Sequence, residues 1–194
     1  MKKLVTYALL CAVPMGVAMA EQDEMKKRAT ESKAVVKQFM GKLQGELQSA
    51  MKSGGPTKAI EVCNTVAPAI AQEQSEKHGW EVGRTSLKTR NPNNAPDAWE
   101  AAVLKQFEER AASGESPAEM AHFEVVEENG AKAFRFMKAI GMPPLDKAPC
   151  LKCHGENIDP AISAKLDELY PEDQARGYKP GMIRGAFTIT QPME

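Results

Sequence analysis

The chain has 194 residues, of which 42% are hydrophobic and 26% charged, and its formal net charge is −1. This length is enough for one domain with a real hydrophobic core. Acidic and basic side chains are interspersed and form no basic stripe, which argues against a nucleic-acid partner. We therefore expect a single domain that does not bind DNA or RNA.

The first twenty residues have the layout of a secretory signal peptide. Two lysines precede an uncharged apolar run over residues 4–19, and Ala18 and Ala20 occupy the small-residue positions of a cleavage site. The run is too short for a typical membrane-spanning helix, although an uncleaved anchor is the alternative. We predict cleavage after Ala20, a periplasmic location, no membrane association after cleavage, and one domain over residues 21–194.

The first predicted element of the mature chain is a long amphipathic helix. Apolar residues recur at spacings of three and four over residues 22–53, and Gly54-Gly55-Pro56 ends the pattern. We expect this helix to pack on its own chain, with dimer contacts as the alternative. The protein is therefore expected to be a monomer or a homodimer.

A second helix is predicted over residues 57–77, with Cys63 on its apolar, inward face. Pro68 lies inside this stretch. Because proline has no N–H group to donate to the carbonyl of Asn64, and because its ring crowds that carbonyl, we expect a bend or break nearby.

A short strand and a turn follow. The periodicity changes over residues 80–88, and residues 90–94 have the composition of a turn. A third helix is predicted to begin near Asn94, with Pro96 tolerated in its first turn, and to end at Gly114.

The clearest strand signal runs from His122 to Ile140 and is interrupted by Asn129-Gly130. An Asn-Gly pair between alternating segments favours a two-residue hairpin. A two-residue turn at Asn129-Gly130 fixes which residues of the two strands lie opposite each other, and this register produces both an apolar face and pairs of opposite charge. It pairs Phe123 with Phe136, Val125 with Phe134, Glu127 with Lys132, and Glu124 with Arg135.

The C-terminal part adds a short helix that starts at Asp159-Pro160 and ends before Pro171, and a strand from Ile183 to Thr190. Helices followed by an antiparallel sheet with helical interruptions are typical of the α+β class. The predicted architecture is therefore α+β.

Residues 150–154 form a C-x-x-C-H motif. Two thiols at this spacing can each add to one vinyl group of a single haem, and the adjacent histidine can bind its iron. Such attachment takes place outside the cytoplasm, so the signal peptide supports it independently. The motif predicts one covalently attached haem c, with Cys150 and Cys153 as the attachment sites and His154 as an iron ligand.

Two other uses of these cysteines stay open. A C-x-x-C pair can be a redox disulfide, although the βαβ context of thioredoxin-like proteins is missing. A tetrahedral zinc site could instead use Cys150, Cys153, His154 and Cys63, although adjacent cysteine and histidine residues rarely chelate one metal well.

The residues alone leave the second axial ligand of the iron open. The candidates are His78, His122, several methionines and Cys63. Cys63 is inward and unpaired once the motif cysteines bind haem, although a small buried hydrophobe is the ordinary role of such a residue.

Several stretches match a known family and together span nearly the whole mature chain. They are Ala59–Cys63, Ala67–Ala71, Gly83–Leu87, Arg90–Asp97 with Trp99-Glu100, Cys150–Gly155, and the stretch from Gly177 to Ala186, which departs from the family pattern at Met182. In these stretches the sequence resembles the single-haem periplasmic or lumenal c-type cytochromes that were long classed as a domain of unknown function.

The resemblance implies a PAS-like α+β fold in which N-terminal helices pack on an antiparallel sheet that encloses a haem pocket. It also implies haem ligation by His154 on one side and by the thiolate of Cys63 on the other. Arg84 and Arg90 lie in the matching loop region. We expect them to contact the haem propionates, because guanidinium pairs well with carboxylate, or else to brace the loop.

Three functions suit such a protein. The first is electron transfer or redox sensing by a low-potential haem, since an anionic thiolate stabilises ferric iron. The second is sensing of CO or NO through loss of the Cys63 ligand. The third, peroxidase-like catalysis, needs acid–base groups that the apolar surroundings of Cys63 do not supply, so we expect no enzyme activity. The partner is an unidentified redox or signalling protein.

Overall fold

The computed structural model describes residues 15–128 and 130–193. Most of the predicted signal peptide, residues 1–14, lies outside the described residues. The helices are α1 (Met15–Glu61), α2 (Ala67–His78), α3 (Ala98–Ala112), α4 (Leu151–His154) and α5 (Pro160–Leu169), and the strands are β1 (Glu81–Thr85), β2 (Ala121–Glu128), β3 (Ala131–Gly141) and β4 (Ile183–Met193).

The four strands form one antiparallel sheet in the order β1-β4-β3-β2. Helices α1 and α2 pack on one face, around Phe39, Ile70, Phe134 and Ile189. Helix α3 packs on the other face, where alternate residues of the same strands point. The α+β class, with N-terminal helices packed on an antiparallel sheet, is therefore confirmed. No helix in the described part of the chain is long and apolar enough to cross a membrane.

The predicted end of the first helix is a break in α1. The backbone leaves the helical conformation at Gly55, whose φ is 70°, and helix resumes from Pro56. Only glycine adopts such a positive φ without strain, and proline suits the first turn of the segment that follows.

The predicted irregularity near Pro68 takes the form of a π-helical turn at Val62–Val66, between α1 and α2. The amide of Ala67 donates to the carbonyl of Val62, one residue further back than in an α-helix. Pro68 then sits in the first turn of α2, where its missing N–H is tolerated. The wide turn contains Cys63.

The predicted start of the third helix is wrong by four residues. Residues 92–94 form a 3₁₀ turn, Pro96 precedes the helix, and α3 begins at Ala98. Asp97 caps it, because its carboxylate accepts from the amide of Glu100 (2.7 Å) while the Glu100 side chain accepts from the amide of Asp97 (3.2 Å). This reciprocal capping box outweighs the weaker start signal at Asn94.

The hairpin register is confirmed, with all four predicted pairs directly opposite one another in β2 and β3. Asn129 lies outside the described residues, and Gly130 has the positive φ of 78° that such turns need. The apolar face is only partly buried at Phe123 and Val125, because β2 is an edge strand. Arg135 pairs with Asp97 at 2.6 Å, from the cap of α3.

Candidate cofactor-binding site

The C-x-x-C-H residues form a single helical turn. Cys150 precedes α4, and its carbonyl accepts from the amides of Cys153 (3.2 Å) and His154 (3.1 Å). Gly155 closes the turn, where a Cβ atom would lie 2.5 Å from the carbonyl oxygen of Leu151, so no larger residue fits. The turn therefore holds both thiols and the imidazole close together in a compact segment.

His154 is oriented by a backbone carbonyl. Its Nδ1 lies 2.9 Å from the carbonyl oxygen of Ala175, which can only accept, so Nδ1 carries the proton and Nε2 keeps its lone pair. Burial, reinforced by the charges of Arg90 and Arg184, holds the pKa of His154 well below its ordinary value. The imidazole is thus neutral at physiological pH, as a metal ligand must be.

Two adjoining cavities lie beside this segment. The thiol cavity, of about 90 Å³, is lined by both motif cysteines. The arginine cavity, of about 180 Å³, is lined by Arg84, Arg184 and Cys150. Cys63, Arg90 and His154 line both. The fold therefore brings Cys63 and His154, 91 positions apart in the sequence, to the same space.

Cys63 reaches this space from the π-helical turn. Burial raises the pKa of its thiol, and the charges of Arg84, Arg90 and Arg184 oppose that rise. The three guanidinium groups therefore favour the thiolate form that a metal ligand needs.

The other candidate axial ligands are placed differently. His78 stacks on Trp80, with ring centroids 5.0 Å apart, and His122 lies 5.8 Å from the ring of Trp99. Neither histidine lines either cavity. Met51 and Met142 each line one cavity, whereas Cys63 lines both.

Comparison with known proteins identifies the family. The family model described as Tll0287-like matches residues 20–192. This chain belongs to the Tll0287-like family. The crystal structure of the cyanobacterial heme-protein Tll0287 is similar to it, with a TM-score of 0.62 and 25% sequence identity over 87% of this chain and 96% of that chain. No curated protein matches the sequence. The family resemblance seen in the sequence motifs is thus confirmed.

In this Tll0287-like protein, Arg90 has a bracing position. Its Nε donates to Asp173 at 3.0 Å, and its Nη2 donates to the carbonyls of Cys153 (2.6 Å) and Ala175 (3.2 Å). The Asp173 carboxylate is 1% exposed, and it also accepts from the amide of Ala175 (2.9 Å). Arg90 therefore ties the motif turn to the segment that orients His154. Its predicted contact with a propionate stays a prediction.

Arg84 also faces the arginine cavity, from β1, with its guanidinium carbon 5.6 Å from the ring of Phe39. Arg184 joins it from β4 and is a residue that the sequence analysis did not identify. An isolated arginine on an alternating strand resembles an ordinary surface residue. Only its position directly before Gly185, in a family-matching stretch, could have drawn attention to it.

The alternative zinc and disulfide uses of the cysteines find no support in the described part of the chain. Cys63, Cys150 and Cys153 are free thiols. No group of three or more His, Cys, Asp or Glu side chains among the described residues is placed to hold a metal ion. The four side chains of the zinc alternative do not converge on one point as a tetrahedral site requires.

Proposed function

We propose that this protein binds one haem, attached covalently through Cys150 and Cys153, and that it serves in electron transfer or redox sensing. His154 and Cys63 are the proposed axial ligands. The observation that carries the proposal is their shared placement: an imidazole with a free Nε2 and a thiol line the same two cavities as a motif thiol. Membership of a family that includes a cyanobacterial heme-protein supports it.

The donor set fits haem rather than a bare metal ion. Two thiols on one helical turn supply the thioether bonds, and the imidazole beside them supplies a nitrogen ligand. The hydrogen bond from Nδ1 to Ala175 fixes the tautomer and raises the basicity of Nε2. When bound, haem supplies one-electron chemistry, and the protein contributes axial ligation, burial and charge.

Electron transfer or redox sensing follows from the proposed ligand pair. With protein ligands on both sides of the iron, no coordination position is open to a substrate. An anionic thiolate favours the ferric state, so the reduction potential is expected to be low. Apart from His154, no histidine and no acidic side chain lines either cavity in the described part of the chain. This lining favours a non-enzymatic role over peroxidase-like acid–base catalysis.

Sensing of CO or NO is the second candidate, favoured by the π-helical turn that carries Cys63. Such turns occur often at functional sites. A change in this turn that displaced Cys63 would open a coordination position for a diatomic ligand. Exposure of the reduced protein to CO separates the two functions: an unchanged spectrum supports electron transfer, and a rapid CO adduct supports sensing.

The attachment itself is tested by expression with a periplasmic cytochrome-maturation system. The protein is expected to keep its haem stain through denaturing electrophoresis and to gain the mass of one haem. A variant with both Cys150→Ala and Cys153→Ala is expected to lose the stain, and Cys63→Ala to retain it. A colourless, zinc-loaded wild-type product would contradict the proposal.

A periplasmic location is part of the proposal. It rests on the signal-peptide layout of residues 1–20 and on the extracytoplasmic chemistry of haem attachment. The proposed partner is a redox or signalling protein that contacts the folded domain over residues 21–194.

A further inference from the structure

The arginine cavity carries positive charge that the protein does not neutralise. Among its described lining residues, three are arginines and none is acidic. Arg90 is matched by the buried carboxylate of Asp173. No carboxylate of the described residues pairs with Arg84 or Arg184. A half-buried cation with no carboxylate to neutralise it is unfavourable, so this cavity favours an anionic occupant.

The hydrogen bonds of Arg184 leave part of its guanidinium free. Its Nη1 donates to the hydroxyl of Ser86 (2.9 Å) and to the carbonyl of Lys88 (3.2 Å), which are both neutral groups. Its Nε is buried and has no partner. Burial lowers the pKa of Arg184 and of Arg84, yet both stay protonated, because guanidinium does not lose its proton in proteins.

The two cavities together offer partners for each kind of chemical group on a haem. The macrocycle carries two vinyl groups towards one edge, its iron in the centre, and two propionates at the opposite edge. Here the thiol cavity holds both motif cysteines, Cys63 and His154 line both cavities, and the arginine cavity holds Arg84 and Arg184. Cys150 and Arg90 also line both cavities, so the attachment thiols, the proposed axial ligands and the guanidinium groups surround the same two adjoining cavities.

We infer that Arg84 and Arg184 form the propionate-binding face of the site, while Arg90 acts as a positioning residue. This inference rests on the proposed haem function. The two arginines come from β1 and β4, which pair directly with Thr85 opposite Ala186. Two guanidinium groups at the same end of adjacent strands suit two carboxylates on one edge of a ligand.

The test compares Arg84→Gln and Arg184→Gln in the haem-loaded protein, with Arg110→Gln as the matched control. Arg110 pairs with Glu115 on the surface, away from both cavities. Each cavity variant is expected to lower the reduction potential, because removal of a nearby cation destabilises the electron-rich ferrous state. Each is also expected to shift the propionate bending modes in resonance Raman spectra. Arg84→Lys and Arg184→Lys are expected to recover most of the potential shift, since the charge remains.

Haem staining of the same variants separates this inference from the proposed function. A stained Arg184→Gln protein with wild-type potential and unshifted propionate modes would overturn the inference while leaving the function intact. If the wild-type protein itself shows no haem stain, the proposed haem function is wrong. If either glutamine variant fails to fold, the corresponding lysine variant provides the Raman comparison, because it retains charge but loses bidentate geometry.

Addition of succinate to the loaded wild type distinguishes the source of the carboxylates. If propionates occupy Arg84 and Arg184, succinate is expected to leave the spectrum and the potential unchanged. A saturable shift that disappears in Arg184→Gln would assign the arginines to a free anion and would overturn the inference.

Discussion

At the scale of single residues, Cys63 has surroundings of two kinds: burial raises the pKa of its thiol, and nearby guanidinium groups offset part of that rise. Three guanidinium groups counter the effect of burial on its pKa, and it faces the same space as His154. A thiol surrounded only by aliphatic groups would stay protonated and inert. The charges around Cys63 thus connect the apolar second helix with the proposed iron chemistry.

Replacement of Cys63 by alanine is expected to raise the reduction potential of the loaded protein by on the order of 0.2 V, within the range that axial ligands span. The anionic ligand is lost, so ferrous iron is less disfavoured. The ferric iron is expected to become five-coordinate or water-bound, and the reduced protein to bind CO readily. Spectroelectrochemistry measures the potential and optical spectra report the ligands.

Met142→Leu is the matched control for this variant, because Met142 supplies a sulfur that lines the arginine cavity and lies outside the C-x-x-C-H motif. It is expected to leave the spectrum unchanged. If Cys63→Ala has wild-type spectra and potential, the thiolate assignment fails and Met142, Met51, His78 and His122 become the ligands to test.

The Asp173 carboxylate holds Arg90 in the position from which it donates to the carbonyls of Cys153 and Ala175. Burial alone would raise the pKa of Asp173, but hydrogen bonds and charge from Arg90 outweigh burial and hold it below the ordinary value. The ionised Asp173 carboxylate therefore pairs with Arg90 in the folded state, and this ion pair stabilises the fold at neutral pH. That contribution is lost as the pH falls through the lowered folded-state pKa of Asp173.

Asp173→Asn is expected to lower the free energy of unfolding by about 3 kcal/mol at pH 7, because it leaves the buried Arg90 unpaired. The difference from wild type is expected to narrow in acid, as the pH falls through the lowered pKa of Asp173 and the wild-type carboxylate becomes protonated. Urea unfolding of the loaded protein at several pH values measures both. Asp146→Asn, at an exposed position, is the control, and an equal loss in that variant would contradict the bracing role.

At the scale of elements, the junction of β1 and β4 shapes the arginine cavity. Gly185 comes so close to β1 that a Cβ atom would lie 2.3 Å from the carbonyl oxygen of Thr85. Gly83, on the facing strand, leaves an ordinary 3.6 Å to the Thr188 methyl group. Gly185 therefore permits the close approach of the two strands at the cavity, whereas a side chain at Gly83 would meet no such close contact.

Gly185→Ala is expected to lower the free energy of unfolding by about 1–3 kcal/mol, as overpacking does, and to shift the haem spectrum, since Gly185 lines the arginine cavity. Gly83→Ala is expected to leave stability unchanged or to raise it by about 0.5 kcal/mol. Chemical denaturation and optical spectra of both variants provide the comparison. Equal losses of stability in the two variants would show that the close approach of β1 and β4 at Gly185 does not require a glycine.

At the scale of the whole molecule, α1 connects the N-terminal part of the chain to the sheet that carries the arginines. Phe39 is fully buried and packs edge-on against Phe187 of β4, with ring centroids 5.2 Å apart. Its ring also lies beneath the guanidinium group of Arg84. One side chain of α1 thus supports both the main core and one wall of the proposed site.

Phe39→Ala is expected to lower the free energy of unfolding by about 3–5 kcal/mol, because it opens a cavity at the centre of the core. Lys37→Ala, at an exposed position on the same helix, is expected to change it by less than about 0.5 kcal/mol. Urea denaturation measures both. A loss below about 1 kcal/mol in Phe39→Ala would show that α1 is not part of the cooperative core.

Local patterns were sufficient for much of this protein. The C-x-x-C-H motif, the break at Gly55, the irregularity near Pro68 and the hairpin register all follow from residues close together in the chain. Each depends on backbone conformation or on alternation of side chains, which short stretches encode directly. The α+β class also followed from the order of these elements.

Only the tertiary structure decided which distant residues meet. Cys63 and His154 share a space because α1, the π-helical turn that follows it and the motif turn line the same two cavities. The partners of the arginines depend on long-range packing in the same way: Asp173, far along the chain, pairs with Arg90, whereas Arg184 lines the cavity with no carboxylate partner among the described residues. Side-chain partners of this kind depend on long-range packing, which no local periodicity encodes.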